Sequence, residues 1–405
     1  MTPLPHSRRL AAFTLVEVLV SATLLVVMMG FLLTSLEQTR RTINSTTSKV
    51  AQFQAARVAF EAMTRNLSQA TLNTYWDLDF NAGNNPIRYR RQSDLHFVID
   101  AAAKLGFPNA TPAQYPTEAV FFQAPLGFST TANASGPPRK YGNLANLLSV
   151  VGYYVEWNED TAVPAFLVNK PNILPKRFRY RLMEVMQPGE YNTVYNNSNY
   201  SGASPYSGPR DWMLTSLGLK TLPTAFFPPG KATPLVNSAH VLAENVVAMM
   251  LIPKVSERNR SASDALNDLT TDYTYDSRPL LAYQSQARTA PGTDLNKALT
   301  SIQRQQLHQL PPIVQVTMVA IDEESAARLQ SNSTLPPDWS SDLFKSCTTQ
   351  KHFMDELGDP AKPATKSLTF RLQNSDHSLP TPRMTYRVFT TDVAMRASNW
   401  SRSSK

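Results

Sequence analysis

The chain has a single cysteine, Cys347, so no disulfide can close within it, and an exported form must hold its fold by burial alone. By type it reads as a small apolar side chain, since no histidine motif accompanies it. Glycine is scarce beside proline, 14 against 30, a balance that argues against a compact helical bundle and for many extended, loop-rich connections. The histidines, His6, His96, His240, His308, His352 and His377, are scattered without HExxH or His-x-His spacing, which leaves a zinc site without support. Asp264, Asp268, Asp272 and Asp276 recur at every fourth position, but the central glycine of a calcium loop is missing and they read as solvated loop acids. There is no GxSxG elbow, no GxxxxGK[ST] phosphate loop and no GxGxxG. No metal or other cofactor is expected, no catalytic set can be chosen, and the chain is not expected to be an enzyme.

Charge excludes a further class. The formal net charge of +8 is spread over 405 residues, with no basic block denser than the pairs Arg40-Arg41 and Arg90-Arg91. That pattern is a solvated surface and argues against nucleic acid as a partner. With 42% hydrophobic and 17% charged residues, the chain is long enough and apolar enough for a sizeable folded head.

What the chain does have is an apolar run at 13–36, FTLVEVLVSATLLVVMMGFLLTSL, broken by one acid, Glu17. As a helix it would span roughly 36 Å, enough for a bilayer core of about 30 Å with some tilt. An acid in such a helix costs about 2.5–3.5 kcal/mol even on the lenient insertion scale, so Glu17 needs a partner or a task. Upstream lie His6, Arg8 and Arg9, then Ala11 and Ala12. A secretory signal peptide would have a shorter apolar core followed by a small-residue cleavage site, and the run fits that poorly. The better reading places cleavage before the run, between Ala12 and Phe13, so that the apolar helix stays in the product.

The residues Ala12, Phe13, Thr14, Leu15, Val16, Glu17, Val18, Leu19 and Val20 resemble the class III signal of type IV prepilins and pseudopilins. The resemblance implies a short basic leader, 1–12, removed by a prepilin peptidase, and an N-methylated Phe13 as the mature N-terminus. It also implies that Glu17, at the fifth mature position, is the assembly glutamate. Ala12 stands where the family usually has glycine. Elementary electrostatics agrees with the resemblance: a new α-amino group at Phe13, with an ordinary pKa of about 7.7–8.0, would be a cation at the membrane face. Glu17, one helical turn on, could neutralise it within one subunit or from a neighbour. In a low dielectric such a pair outweighs a surface salt bridge, whose median worth is about 0–1 kcal/mol.

Beyond residue 36 the helical pattern continues towards Ala70 without proline or glycine. Val50, Phe53, Ala56, Phe60, Met63, Leu67 and Ala70 recur at three- and four-residue steps and predict one apolar face, with Arg40, Arg41, Lys49, Arg57 and Arg65 on the wet side. Residues 59–70, AFEAMTRNLSQA, are similar to the corresponding helix of J-type minor pseudopilins. From Tyr75 the period shifts towards two. Leu95, Phe97 and Ile99 alternate, and Phe178, Tyr180 and Leu182 alternate with Arg177, Arg179 and Arg181, which predicts antiparallel strands with one wet face. Further strands are expected at 119–123, 148–157, 246–252, 313–321 and 386–393.

Between them, 81–86, 124–141, 190–210 and 256–291 read as irregular insertions, the last of partly disordered composition. A short helix is expected in 293–310, using Leu295, Leu299, Ile302 and Leu307. The Tyr-rich stretch 191–212 has the composition of a recognition loop or of a solvated cover. Residues 310–329, LPPIVQVTMVAIDEESAARL, read as a strand entering a helix, with Glu323 and Glu324 placed for the helix dipole. Together with the terminal YRVFTTDVAMRASNW, this segment resembles the pilin-like C component of the Verru_Chthon exported-protein cassettes.

The expected fold is therefore α+β and pilin-like: a long N-terminal helix packed on an antiparallel β-sheet with long loop insertions. The expected parts are a leader at 1–12, a transmembrane helix at 13–36, its amphipathic continuation at 37–72 and an exported β-rich head at 73–405. What the resemblance implies for function is a minor structural subunit of a type II secretion or type IV pilus-like assembly, in the inner membrane, with other pilin-like subunits as partners. An adhesin or DNA-binding head on a pilin stem, and a membrane-anchored hydrolase, are the competing readings.

Overall fold

The computed structural model describes residues 14–80, 85–107, 110–111, 113–127, 144, 146–159, 177–194, 210–219, 237–255, 274–278, 306–329, 335–336 and 385–400. The chain divides into two units, Met1–Gln52 and Phe53–Lys405. The first helix, α1, is Leu15–Ser68.

In the first unit α1 is apolar on all sides up to Leu36 and bare: its most apolar window has no buried residue, and it is long and apolar enough to cross a membrane. A core helix of a soluble protein would have its apolar side chains covered, whereas Leu15, Phe31 and Leu32 are exposed. Its hydroxyls turn back onto the helix. Ser21 Oγ donates to the Val18 carbonyl at 2.9 Å, Thr23 Oγ1 to Val20 at 2.9 Å and Thr34 Oγ1 to Phe31 at 2.9 Å, so these polar groups need no water. The segment is compatible with a single-pass anchor.

In the second unit the apolar stripe is buried. Ala56, Ala59, Phe60, Met63 and Leu67 join the core at steps of three and four, followed by Ala70 just past the helix end. Val50, placed in the stripe by its spacing, is exposed, and Lys49 is half-buried rather than wet. The covered face begins at Phe53. Orphan carbonyls at the helix end are satisfied: Ser68 accepts from the Arg396 amide at 3.2 Å and Leu67 from Ala70 at 3.0 Å.

Eleven strands follow among the described residues, all paired antiparallel. They are β1 (Thr74–Phe80), β2 (Pro86–Ser93), β3 (Val98–Ala101), β4 (Glu118–Pro125), β5 (Leu148–Glu159), β6 (Phe178–Gln187), β7 (Ala239–Glu244), β8 (Val246–Lys254), β9 (Tyr275–Asp276), β10 (Ile313–Ile321) and β11 (Tyr386–Ala394). Among the described residues two short α-helices, α2 (Asp211–Ser216) and α3 (Glu323–Leu329), and two 3-10 turns, Ala102–Lys104 and Gly189–Tyr191, complete the set. The strands form a six-stranded sheet ordered β7-β6-β5-β4-β3-β9, a three-stranded sheet ordered β11-β10-β8, and the β1-β2 hairpin. Strands expected at 119–123, 148–157, 246–252, 313–321 and 386–393 lie within β4, β5, β8, β10 and β11. Of the expected insertions, 81–84 and most of 124–141, 190–210 and 256–291 lie outside the described residues. Within the last, residues 275–276 form β9 against β3. The helix expected in 293–310 also lies outside them, except at 306–310.

The six-stranded sheet is covered on both faces. Val120, Phe122, Val151, Tyr153, Val155 and Leu182 meet α1, β8 and β10, while Ala119, Phe121, Val150, Tyr154 and Val185 meet Phe107, Tyr115 and α2. The single wet face expected for these strands is corrected accordingly. In β6 the alternating arginines do not face water: Arg179 and Arg181 have side chains only 4% and 3% exposed. Glycine is required once in this sheet. Gly152 pairs with Phe121, and a Cβ built there would lie 2.3 Å from the Phe121 ring.

The two larger sheets meet where β4 begins. Thr117 Oγ1 accepts the Met249 amide at 3.0 Å and Glu118 Oε2 accepts the Leu251 amide at 2.6 Å, closing the edge of β8 with side chains. Thr117 holds φ 60°, strained for a β-branched residue. Burial pushes the Glu118 carboxyl well above the usual carboxylate range, against the Leu251 N–H that lowers it.

Candidate functional site

The candidate site residues from the sequence are Ala12, Phe13 and Glu17. Ala12 and Phe13 lie outside the described residues. Glu17 stands in the first turn of α1, exposed. Its amide donates to the Thr14 carbonyl at 3.0 Å and to Thr14 Oγ1 at 3.3 Å, while its Oε2 accepts from the Thr14 amide and from Thr14 Oγ1, both at 3.4 Å. This reciprocal pattern is a capping box, Thr14-x-x-Glu17: hydroxyl and carboxylate each satisfy an orphan amide of the helix start. The carboxylate is thereby turned back towards the N-terminal end, where it also complements the helix dipole. The T-x-x-E spacing is visible in the sequence and gives Glu17 a local role beside the one implied by the resemblance.

The second unit contains titratable clusters that no spacing rule brings together. His96 is buried, and its Nε2 lies 2.6 Å from Asp276 Oδ1, while Trp212 Nε1 donates to its Nδ1 at 3.1 Å. The indole donor requires a lone pair on Nδ1, so the imidazole is neutral with its proton on Nε2, given to Asp276. Burial drives the His96 pKa down, against the pull of Asp276. Burial would raise Asp276, but His96 and Arg210 hold it below its ordinary value. Arg210 bridges to Asp100 at 2.8 Å and to Asp276 at 3.5 Å. Asp276, read from the sequence as a solvated loop acid, is thus a structural partner. With both ring nitrogens engaged, the dyad has no free base to offer a substrate.

Glu323, at the start of α3, accepts from Arg179 at 2.9 Å, from Arg177, and through its other oxygen from Asn245 at 2.9 Å. It therefore does more than complement the helix dipole, and these contacts hold its pKa down against the effect of burial. Glu184 of β6 joins Asn66, Tyr153 and His240. Among the described residues no group of three or more metal-ligating side chains is assembled.

No protein-family model, curated protein or solved structure matches this chain.

The exposed hairpin is the other surface feature. In the β1-β2 register Trp76 faces Arg91 and Leu78 faces Tyr89. Trp76, Leu78 and Tyr89 are exposed, and the Arg91 guanidinium lies 5.5 Å from the Trp76 ring centroid.

Proposed function

We infer that the chain is a pilin-like structural subunit, a minor pilin or pseudopilin of a type II secretion or type IV pilus-like assembly. A prepilin peptidase removes residues 1–12, Phe13 becomes the methylated N-terminus, and Glu17 docks the helix among those of other pilin-like subunits. The head lies on the exported side of the inner membrane. The observation that carries this reading is the FTLVE motif at the start of a bare apolar helix, with the Glu17 carboxylate turned towards the end where the new amine would form. An antiparallel α+β head, whose sheet buries the stripe from Ala56 to Leu67, accords with it. The size of the head and its long insertions favour a minor subunit at a tip or priming complex over a densely repeated one.

Mass analysis of the mature N-terminus tests the reading. A start at methylated Phe13 is expected; retention of Met1, or a start beyond Leu36, would overturn it. A recognition role for the head is favoured by one observation, the exposed Trp76 and Tyr89 beside Arg91. If nucleic acid is the ligand, binding must fall steeply with salt and with Trp76→Ala. Salt-insensitive or absent binding removes that version.

A further inference from the structure

The end of α1 is held to the six-stranded sheet by apolar packing and by one polar chain. Asn66 Nδ2 donates to the Tyr153 hydroxyl at 2.9 Å and lies 3.4 Å from Glu184 Oε1. The Tyr153 hydroxyl donates to the same carboxylate oxygen at 2.6 Å. The second oxygen, Oε2, faces His240 Nε2 at 2.9 Å. Glu184 is the buried member, 8% exposed, whereas the His240 side chain is 53% exposed and can exchange protons with solvent. An imidazole facing a carboxylate is favoured in its protonated form.

We propose that Asn66, Tyr153, Glu184 and His240 form a proton-operated latch that fastens the last turn of α1 to β5 and β6 while His240 is charged, and releases it when His240 loses its proton. The geometry supplies the linkage: the charge sits at the rim on β7, the carboxylate relays it, and Tyr153 and Asn66 deliver it to the helix. Among the described residues the other charged group acting on this chain is Arg65 of α1, towards Tyr153. Glu184 raises the His240 pKa above 6.5, so this contribution is full below about 6.5 and is lost as pH rises through the raised folded value. Burial would raise Glu184, but His240 and Tyr153 hold it below 4.5, so its contribution is full above about 4.5 and is lost as pH falls through the lowered value. The latch is closed between these limits and opens on the alkaline side. It rests on the geometry of the head and not on the functional reading above.

Hydrogen exchange read by mass spectrometry on the full chain in detergent micelles tests it, at about pH 5.5 and pH 8.5, with rates corrected for intrinsic chemistry. Protection of peptides covering 60–70 is expected to fall about three- to fivefold at the higher pH, the range of a partly exposed ion pair, while β4 and β5 are unchanged. His240→Gln should show the low protection at both pH values. Tyr153→Phe, which keeps the ring and removes the relay, should also uncouple the helix end from pH. A wild-type helix end indifferent to pH, a step that persists in H240Q, or an equal loss across β4 and β5 would each overturn the latch.

Discussion

Replacing Glu323 by Gln and Arg179 by Met should damage the head unequally, although each removes one end of the same ion pair. Arg179 is 4% exposed and Glu323 40% exposed. In Glu323→Gln a buried guanidinium loses its carboxylate where water cannot replace it. A hydrogen bond to a charged group is worth about 1.5–3 kcal/mol, and the lost contact to half-exposed Arg177 adds at most about 1 kcal/mol. The bond from Asn245 can be kept by the Gln carbonyl. The expected cost is about 2–3 kcal/mol. In Arg179→Met the buried charge goes with its desolvation penalty, the stem's apolar contacts remain, and Glu323 keeps Arg177. Such replacements of buried charge are often neutral, so about 0–1 kcal/mol is expected. Urea midpoints of the purified chain in detergent, at unchanged slope, give the comparison. If Arg179→Met costs as much as Glu323→Gln, the reasoning about where the desolvation penalty sits is wrong.

Gly152→Ala should destabilise by about 1–3 kcal/mol, because the new methyl must displace the buried Phe121 ring; a neutral result in the same assay would show that the ring can yield. Buried His96 is neutral and must gain a proton on unfolding, so it contributes stability above about pH 6.5 and withdraws it as pH falls through its depressed folded value. This slope opposes that of His240, so each must be read as a difference between variant and wild type: in Trp212→Phe, which frees Nδ1 for a proton, the loss between pH 7.5 and 5.5 should shrink. Glu17→Ala should still insert in the membrane yet fail to co-isolate with partner subunits; undiminished co-isolation would show Glu17 dispensable for assembly.

The long helix and the central strands were legible because their signals are local. Ala56, Phe60, Met63 and Leu67 repeat within a few turns, and β4, β5, β8 and β10 are short apolar runs bounded by polar or proline-containing segments. Burial of both sheet faces was not legible, since Arg177, Arg179 and Arg181 alternate as a solvated strand would. What neutralises Arg177 and Arg179 is Glu323, 144 residues beyond Arg179, while Arg181 is paired with Glu244. His96 and Asp276 are 180 positions apart, and nothing in the spacing of either announces the pair. The Thr14-Glu17 cap is the opposite case: its T-x-x-E signature lay within one turn, overshadowed by the larger motif that contains it.

The contacts from Thr117 and Glu118 onto β8 have a consequence for how this protein can be crowded against its neighbours. A sheet with two bare edges can recruit strands in both directions and grow into a fibre. Here one margin of the three-stranded sheet is already occupied by a hydroxyl and a carboxyl of its own chain. Any strand added to that sheet must arrive beside β11, and a second cannot follow on the opposite side. If that strand is the β11 of a second copy, the pair presents only its two covered β8 margins, and extension through this sheet stops there.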